Sequence, residues 1–415
     1  MAGLIAAALA LLSSVFVWTL LHQAGMDLAG WEVATLALAL LAGALLRRPL
    51  APPSGRAVTA ALIALPVWVL FTLLPLPGGL IRFLDPARAA IAAALGGGSA
   101  PISLVPAATF SAWMHLAGCI LVFLLVREIA WRARDPWIAA LPLVVVSALE
   151  AALGLVQFYT GATGGTGAHG TFSNRDHFAG LLEMALPFSA MYGLAVLRRG
   201  RTLVASGAFA AAALILAGSV HSLSRMGFIC ALAGLGVAGA LSLRRKRWVL
   251  AVPAVAALLF ITLPNDEMIA RFHETGAADR VTVWRETLPM VRDYAVTGTG
   301  LGAYESAFMQ YKRSAATVTD SYAHNDYLQY LVELGVPGFV CGLIVVIAVM
   351  RAAIAGAIRD RSPAGRALGA ACVASMAALL LHSTVDFNSY IPSNALSFAW
   401  VAGLAASSAV RKEDA

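Results

Sequence analysis

A short polar segment in the last third of the chain carries side chains that can move protons and bind anions. Residues 322–331 read YAHNDYLQYL and stand at the start of an apolar stretch. Where such a stretch spans a membrane, clustered polar side chains cost free energy and usually serve chemistry or transport. Histidine changes its charge near neutral pH, so His324 is a candidate general base, or alternatively a hydrogen-bonding contact to a substrate. Tyr322 is a candidate substrate contact beside it.

The two residues after this histidine are predicted to begin a helix. Asn325 or Asp326 suits the N-cap position, and the free backbone N–H groups of a helix start can bind an anion. Both are therefore candidate substrate-binding residues. On the same helix Asp326, Tyr330 and Glu333 share one face. This face is expected either to line a cavity or to pack against a polar partner on another span.

Arginines in short polar connections form a second group. Residues 160–177 make a glycine-rich loop that ends in Asn174, Arg175 and His177, and Arg225 follows a second short link of Ser and His. Arginine has the shape for bidentate binding of phosphate, so these residues suggest an anionic ligand such as a diphosphate. Asn174, Arg175 and His177 are candidate substrate contacts, and Arg225 is expected to stabilise the charge of a leaving diphosphate.

A third group lies in a long polar segment. Residues 279–291 are predicted to form a helix on which Arg280 and Trp284 share a face, with Arg285 beside them; the alternative is a solvated Arg–Glu surface helix. Arg280 is expected to stabilise the same leaving group, with Arg285 in reserve and Trp284 as a substrate contact. The run GTGLGAY, which ends at Tyr304, lacks a following strand–helix unit, so it predicts a tight loop rather than a nucleotide site. Tyr304 is a further candidate contact.

The composition is that of an integral membrane protein. The chain has 415 residues, of which 60% are hydrophobic and only 12% charged, whereas a soluble protein has about 25% charged residues. The apolar runs predict about twelve transmembrane helices. They lie near 3–22, 31–46, 57–75, 106–126, 137–158, 178–197, 202–219, 226–243, 248–263, 328–350, 366–382 and 393–410.

Every cluster of Lys and Arg follows an even-numbered span, which places both termini in the cytoplasm. The net charge of +7 is then a topology signal and requires no nucleic-acid partner. Residues 1–263 would hold the first nine spans, with an amphipathic helix near 80–95 in the membrane interface. Residues 264–323 would form one long loop on the other side, and 324–415 the last three spans.

Carboxylates and cysteines within the spans have two interpretations. Glu150 and Glu183 are either functional or form a neutral, hydrogen-bonded pair between spans five and six. All four cysteines lie in apolar runs and are expected to be small buried side chains. No Cys/His spacing or paired Asp indicates a metal site, so no metal is expected.

Taken in order, these motifs resemble the O-antigen ligase and O-antigen polymerase family of bacterial membrane glycosyltransferases. Arg175 departs from the family's pattern, in which a small residue or Pro is expected. The resemblance implies a GT-C-like helical bundle with a periplasmic lid and active site, in the inner membrane. The matching segments are HNDYLQ…ELGVPGF (324–339), GTFSNRDHFA (170–179), SLSRMG (222–227), the Arg280–Tyr304 region, and HSTVDFN together with the residues that follow it (382–394).

The resemblance also implies a reaction. The donor would be a glycan on undecaprenyl diphosphate, transferred with inversion and without metal, cofactor or nucleotide sugar. A ligase transfers it to lipid A–core, which is the reaction expected here. The alternative is an O-antigen or exopolysaccharide polymerase, which transfers it to another lipid-linked repeat unit; ligase-like transfer to protein or exopolysaccharide is a further variant. A transporter or lipid flippase is the third interpretation. Such proteins usually show repeated halves and midplane sites, whereas here polar residues gather on one side.

Overall fold

The computed structural model describes residues 2–26, 55–242, 277–314 and 321–410, with short stretches between 34 and 44. None of these residues belongs to a named β-strand; Leu76 and Ala100 form one isolated bridge. The helices are α1 (Ala2–Leu21), α2 (Arg56–Phe71), α3 (Gly78–Leu84), α4 (Pro86–Ala94), α5 (Pro106–Arg132), α6 (Leu141–Tyr159), α7 (Arg175–Leu197), α8 (Thr202–His221), α9 (Arg225–Ser242), α10 (Ala277–Asp293), α11 (Tyr304–Phe308), α12 (Asp326–Arg359), α13 (Pro363–His382) and α14 (Pro392–Val410).

Seven helices of the described part are long and apolar enough to cross a membrane. They are α5, Pro136–Tyr159 (which contains α6), α7, α8, α9, α12 and α13. The prediction of an all-helical, multi-pass membrane protein is therefore confirmed for these residues. Helices α1 and α2 are shorter apolar helices, and α14 coincides with the last predicted span. The predicted span 248–263 lies outside the described residues, and 31–46 largely so; the number twelve stays a prediction.

Small residues let the central helices pack closely. Helix α7 contacts α8, α9 and α13, and α13 is rich in Ala, Gly and Ser. Small side chains allow membrane helices to approach at the backbone. A Cβ on Gly369 would meet the backbone of Ala357, and one on Gly403 in α14 would meet that of Phe123 in α5. This close packing fixes the helix ends that carry the polar residues.

The described bundle has two chemically different ends. One end, here called the polar end, collects the ends of α6, α8 and α13 and the starts of α7, α9, α12 and α14. The opposite, basic end carries Arg132, Arg134, Arg198, Arg199 and Arg201. At the basic end Trp137 donates its indole N–H to Ala364 at 3.1 Å, and Trp400 donates to Ala139 at 2.7 Å.

Helix α12 is interrupted at Gly335, where φ is +63°. A break frees backbone carbonyls that must find donors elsewhere, since lipid offers none. The loop that follows α10 and one tryptophan supply them. The bonds run from Thr299 N to Val332 O at 3.0 Å, from Gly300 N to Glu333 O at 3.1 Å, and from Trp68 Nε1 to Leu334 O at 2.8 Å.

The helix predicted near 80–95 is two short helices, α3 and α4, rather than one. Asp85 separates them, because its carboxylate caps α4 by accepting from Arg88 N at 2.8 Å and Pro86 occupies the first position of α4. The other Asp85 oxygen accepts from the Thr297 hydroxyl at 2.5 Å. This contact joins the two helices to residues 296–303, which are called the glycine-rich loop from here on and are distinct from the loop 160–177. Phe83 stays 83% exposed, as expected for a side chain that faces lipid.

Candidate functional site

Asp386 is the centre of a buried polar cluster at the polar end. It lies between α13 and α14, is 1% exposed, and accepts from Phe387 N at 2.9 Å. Three imidazoles face its carboxylate. Nδ1 of His324 lies 3.5 Å from Oδ1, Nε2 of His177 lies 3.9 Å from Oδ1, and Nε2 of His382 lies 3.7 Å from Oδ2.

Charge balance keeps this carboxyl group ionised. Burial alone would raise the pKa of Asp386, but the facing imidazoles of His324, His177 and His382 and the charge of Arg280 outweigh it and hold the pKa below its usual range. Helix α10, which carries Arg280, lies beside the cluster, because its Trp284 donates to Ala323 O, next to His324, at 2.8 Å. Asp386 is therefore an anion enclosed by groups that carry or accept protons.

The turn that presents His324 is held from two sides. Its backbone is left-handed, with φ +49°, and its side chain is 33% exposed. Asn325 caps α12 through its side-chain oxygen and donates from Nδ2 to Thr384 O at 3.0 Å. From α10, Trp284 Nε1 donates to Ala323 O at 2.8 Å. The histidine is thus a fixed and accessible group, and the cap is Asn325 rather than its neighbour.

Aromatic rings surround the cluster on its outer side. Tyr322 stacks on Phe387 with centroids 3.9 Å apart and planes 5° apart, and Tyr390 meets Tyr322 edge-on at 5.8 Å. The rings of His177 and His324 pack edge-to-face with Phe387, with ring centroids 4.6 and 4.9 Å apart. Tyr322 is half-buried, so its ring both supports the histidine and keeps exposed surface.

An apolar cavity of about 350 Å³ lies directly beside the cluster, between α2, α5 and α12 to α14. Of the predicted polar face, Asp326 and Tyr330 line it. The carboxylate of Asp326 accepts from the Ser383 hydroxyl at 2.6 Å and from Ser389 N at 3.2 Å. The cavity lining is thus mostly apolar, with Asp326, Ser383 and Ser389 at the end beside the cluster and His115 of α5 as a further polar residue.

Glu333, the third member of that face, holds the glycine-rich loop. Its carboxylate accepts from Gly302 N at 2.8 Å, Tyr304 N at 3.0 Å and the Tyr390 hydroxyl at 2.8 Å. The Tyr304 hydroxyl pairs with that of Thr287 at 2.7 Å, and Tyr304 is 1% exposed. Tyr304 therefore lies inside the protein, where it supports the loop.

The predicted tight loop is confirmed. Gly298, Gly300 and Gly302 all have positive φ, from +71° to +97°. This conformation is inexpensive only for glycine. A Cβ on Gly298 would also collide with the Glu333 carbonyl. The glycines serve the contact with the break in α12.

Arg225 begins α9 at the polar end and is half-buried. The turn before it contains Leu223 with φ +58°. This turn, between α8 and α9, contacts the loop 166–174, since Ala168 N donates to His221 O at 2.7 Å. The part of the loop that precedes α7 is therefore packed onto the Arg225 turn.

The other predicted loop residues have defined contacts. Arg175 donates to Thr166 O at 2.8 Å, and Asn174 caps α7 by accepting from Asp176 N at 2.8 Å. His177, by contrast, points into the Asp386 cluster. Arg285 is exposed on α10. The structure thus brings His324 and His177 to Asp386, while Arg175 and Asn174 make contacts within the loop and at the start of α7.

The proposed pairing of Glu150 with Glu183 is wrong. Glu150 accepts from Thr171 N at 3.0 Å and from its hydroxyl at 3.1 Å, whereas Glu183 Oε2 lies 3.0 Å from His382 Nδ1. The sequence predicted no role in the site for Asp386 and His382, and a functional role for Glu183 was only one of two alternatives. One signal was available: His382 and Asp386 are four residues apart at the end of an apolar span.

Among the described residues, one group brings three potential metal-binding atoms within 4.8 Å of one another: Glu183, Cys230 and His382. The contact between His382 and Glu183 is that of a direct hydrogen bond. We therefore treat the group as a buried hydrogen-bonded pair with a thiol beside it.

The fold and the site together define a multi-pass membrane protein with a buried acid–base cluster at one end of its bundle. The O-antigen ligase family model matches residues 209–343, a segment that contains Arg225, Arg280 and His324. The resemblance to the O-antigen ligase and polymerase family is thus confirmed over that segment. Members are membrane glycosyltransferase-like enzymes, either ligases or polymerases. No curated protein sequence matches the chain.

Proposed function

We propose that the protein is an O-antigen ligase, which transfers a glycan from undecaprenyl diphosphate to the lipid A–core oligosaccharide. The observation that carries the proposal is the position of His324. It faces Asp386 and precedes by two residues Asp326, which lines the apolar cavity, and it lies within the segment matched by the O-antigen ligase family. Lipid-linked donors need both an anion site and an apolar site.

In this reaction His324 acts as the general base. The acceptor hydroxyl forms a bond to the anomeric carbon while the bond from that carbon to the diphosphate oxygen breaks, with inversion. The hydroxyl proton passes to Nε2 of His324, because Nδ1 faces the Asp386 carboxylate. A carboxylate in that position fixes the ring and stabilises the imidazolium that forms.

The departing diphosphate carries the negative charge that develops. Arg280 lies beside the cluster, and Arg225 begins a helix at the same end of the bundle. Preorganised guanidinium groups stabilise such charge without a metal ion. Arg285, exposed on α10, is in reserve. His177 and Tyr322 contact substrate, and Trp284, Asn325 and Asp326 hold the turn that meets it.

The apolar cavity suits part of the prenyl chain. Its lining is mostly hydrocarbon, with His115 of α5 and a few polar groups next to the cluster, so a lipid entering between α5 and α12 would have its diphosphate beside the polar end. Burial of apolar surface contributes about 25 cal/mol per Å². The cavity therefore contributes binding free energy and orients the donor.

The membrane orientation follows from the charges. The arginine-rich basic end would face the cytoplasm, with both termini, and the polar end would face the periplasm of the inner membrane. Residues 264–323 would form the periplasmic lid in a twelve-span, GT-C-like protein. Lid and interface helices together would shape the acceptor site, since α10 and α4 both reach the glycine-rich loop.

The experiment offers purified protein a donor glycan on undecaprenyl diphosphate and two acceptors separately. One acceptor is lipid A–core, and the other is a lipid-linked repeat unit. Product on lipid A–core supports the ligase. Chain extension of the second acceptor alone would identify a polymerase and overturn the acceptor assignment. Absence of both products from folded protein would overturn the transfer reaction and favour a transport assay with the same donor.

A further inference from the structure

Behind Asp386, two buried side chains continue the polar cluster into the bundle. Glu183 on α7 is 0% exposed, and its Oε2 lies 3.0 Å from Nδ1 of His382. The other ring nitrogen of His382 lies 3.7 Å from Oδ2 of Asp386, whose Oδ1 faces His324. Carboxylates and imidazoles thus alternate from the core of the bundle to the one histidine of this row that is partly exposed.

The row of Glu183, His382, Asp386 and His324 determines how the carboxylate of Asp386 can be oriented. Its Oδ1 is held by Phe387 N and faces two imidazoles, and its Oδ2 faces His382. If His382 turned away, Oδ2 would lose its only facing imidazole among the described residues. His382 is in turn held at Nδ1 by Glu183.

We propose that Glu183 and His382 are positioning residues for the reaction put forward above as the proposed function. They fix the carboxylate of Asp386 so that it faces Nδ1 of His324. A neutral imidazole carries its proton on one nitrogen only, and an anion facing Nδ1 selects the form with hydrogen there. Nε2 is then left as the basic nitrogen, on the side that can reach an acceptor hydroxyl.

Charged and titratable groups on every neighbouring element also face the row. They are Asp176 and His177 on α7, Cys230 on α9, Arg280 on α10 and Asp326 at the start of α12. Changes at Glu183 or His382 must therefore be compared with a buried carboxylate that does not contact a histidine. Glu150 is that control, since its hydrogen bonds come from Thr171.

The test uses the full-length protein with ring-15N-labelled histidine, in nanodiscs, as wild type, Glu183→Gln, His382→Gln and Glu150→Gln. The ring 15N shifts of His324 show which nitrogen carries the proton. We expect the Nδ1–H form in wild type and Glu150→Gln, and a mixture with the Nε2–H form in the other two. In the transfer assay kcat should fall about tenfold in those two, a part of what acid–base catalysis contributes, while KM for the donor stays within about twofold.

An unchanged His324 signal in the folded variants would overturn the proposal, whatever their rate, because a purely structural role would leave the tautomer alone. If a single variant does not insert, Glu183→Gln/His382→Gln removes the buried pair as a unit and carries the same measurement. Because the NMR signal needs no substrate, it decides the positioning role even if wild type transfers no glycan. That last result would count against the proposed function only.

Discussion

Two buried glutamates, Glu333 and Glu183, occupy membrane-spanning helices of the same bundle and have opposite surroundings. Glu333 accepts from two backbone N–H groups and one tyrosine hydroxyl. Glu183 contacts one histidine, and among the described residues no hydrogen bond reaches its Oε1. A carboxylate surrounded by backbone donors fixes the path of a chain. One that faces an imidazole can transmit a change of charge or orientation.

This difference separates two kinds of intramembrane charge. Glu150 follows the pattern of Glu333, because it holds the backbone and hydroxyl of Thr171 in the loop before α7. Both glutamates anchor glycine-rich loops to spans. Glu183 alone among these three leads to the cluster around Asp386. Hence, of these three carboxylates, only the one that faces a histidine is connected to the proposed site.

The largest effect on the transfer rate is expected at His324, the partly exposed end of the row Glu183, His382, Asp386 and His324. His324→Ala should lower the transfer rate by about a hundredfold or more, because the general base is lost. The thermal unfolding temperature in detergent should stay near that of wild type, since the side chain is partly exposed. Transfer of labelled glycan and tryptophan fluorescence on heating measure the two. Retained activity would remove His324 from the mechanism.

The second-largest losses of transfer rate are expected from substitution of the arginines. Arg280→Ala and Arg225→Ala are each expected to slow transfer by about a hundredfold, the typical loss when one charge-stabilising group is removed. Arg292→Ala, at an exposed position near the end of the same helix as Arg280, is the matched control and should change the rate little. Full activity in either of the first two variants would exclude that arginine from charge stabilisation.

Substitution of Glu333, which holds the glycine-rich loop, should lower the stability of the protein more than the rate of the chemical step. Glu333→Ala leaves two buried N–H groups without an acceptor, which costs about 1–3 kcal/mol for each group. We expect a lower unfolding temperature and a KM change larger than the kcat change. Glu333→Gln should lie between, because it keeps an acceptor oxygen. A variant as stable as wild type would show that the loop does not depend on this anchor.

The smallest effect is expected from removing metal ions. EDTA should leave the transfer rate unchanged within error, because arginines are proposed to balance the diphosphate charge. The same treatment applied to Cys230→Ser tests whether the thiol beside Glu183 holds an ion. Strong inhibition that a divalent cation reverses would contradict the metal-free mechanism.

Periodic and local features could be predicted from the sequence. Apolar runs predicted most of the described helices, Asn325 was one of two named caps, and the glycine run predicted its loop. Each depends on residues adjacent in the chain. The split of the interface helix at Asp85 and Pro86 was also visible locally, since proline favours a new helix start.

The cluster itself could not be predicted, because its members come from distant helices. His177, His324 and Asp386 meet only when α7, α12 and α13 pack. The Glu150–Glu183 pairing failed for the same reason. Neighbouring spans suggested a contact, while the packing turned one carboxylate to a loop and the other to α13.

The order of synthesis gives the Glu183–His382 contact a further consequence. His382 is made 199 residues after Glu183, so α7 enters the membrane long before its partner exists. A carboxylate at the centre of a membrane helix costs about 3 kcal/mol on insertion scales, and α7 bears that cost until α13 arrives. The loop that satisfies the break in α12, in contrast, is made before α12 itself. Arrival of α13 therefore completes the buried pair, and α14, made last of the described helices, then packs onto α5 and α7.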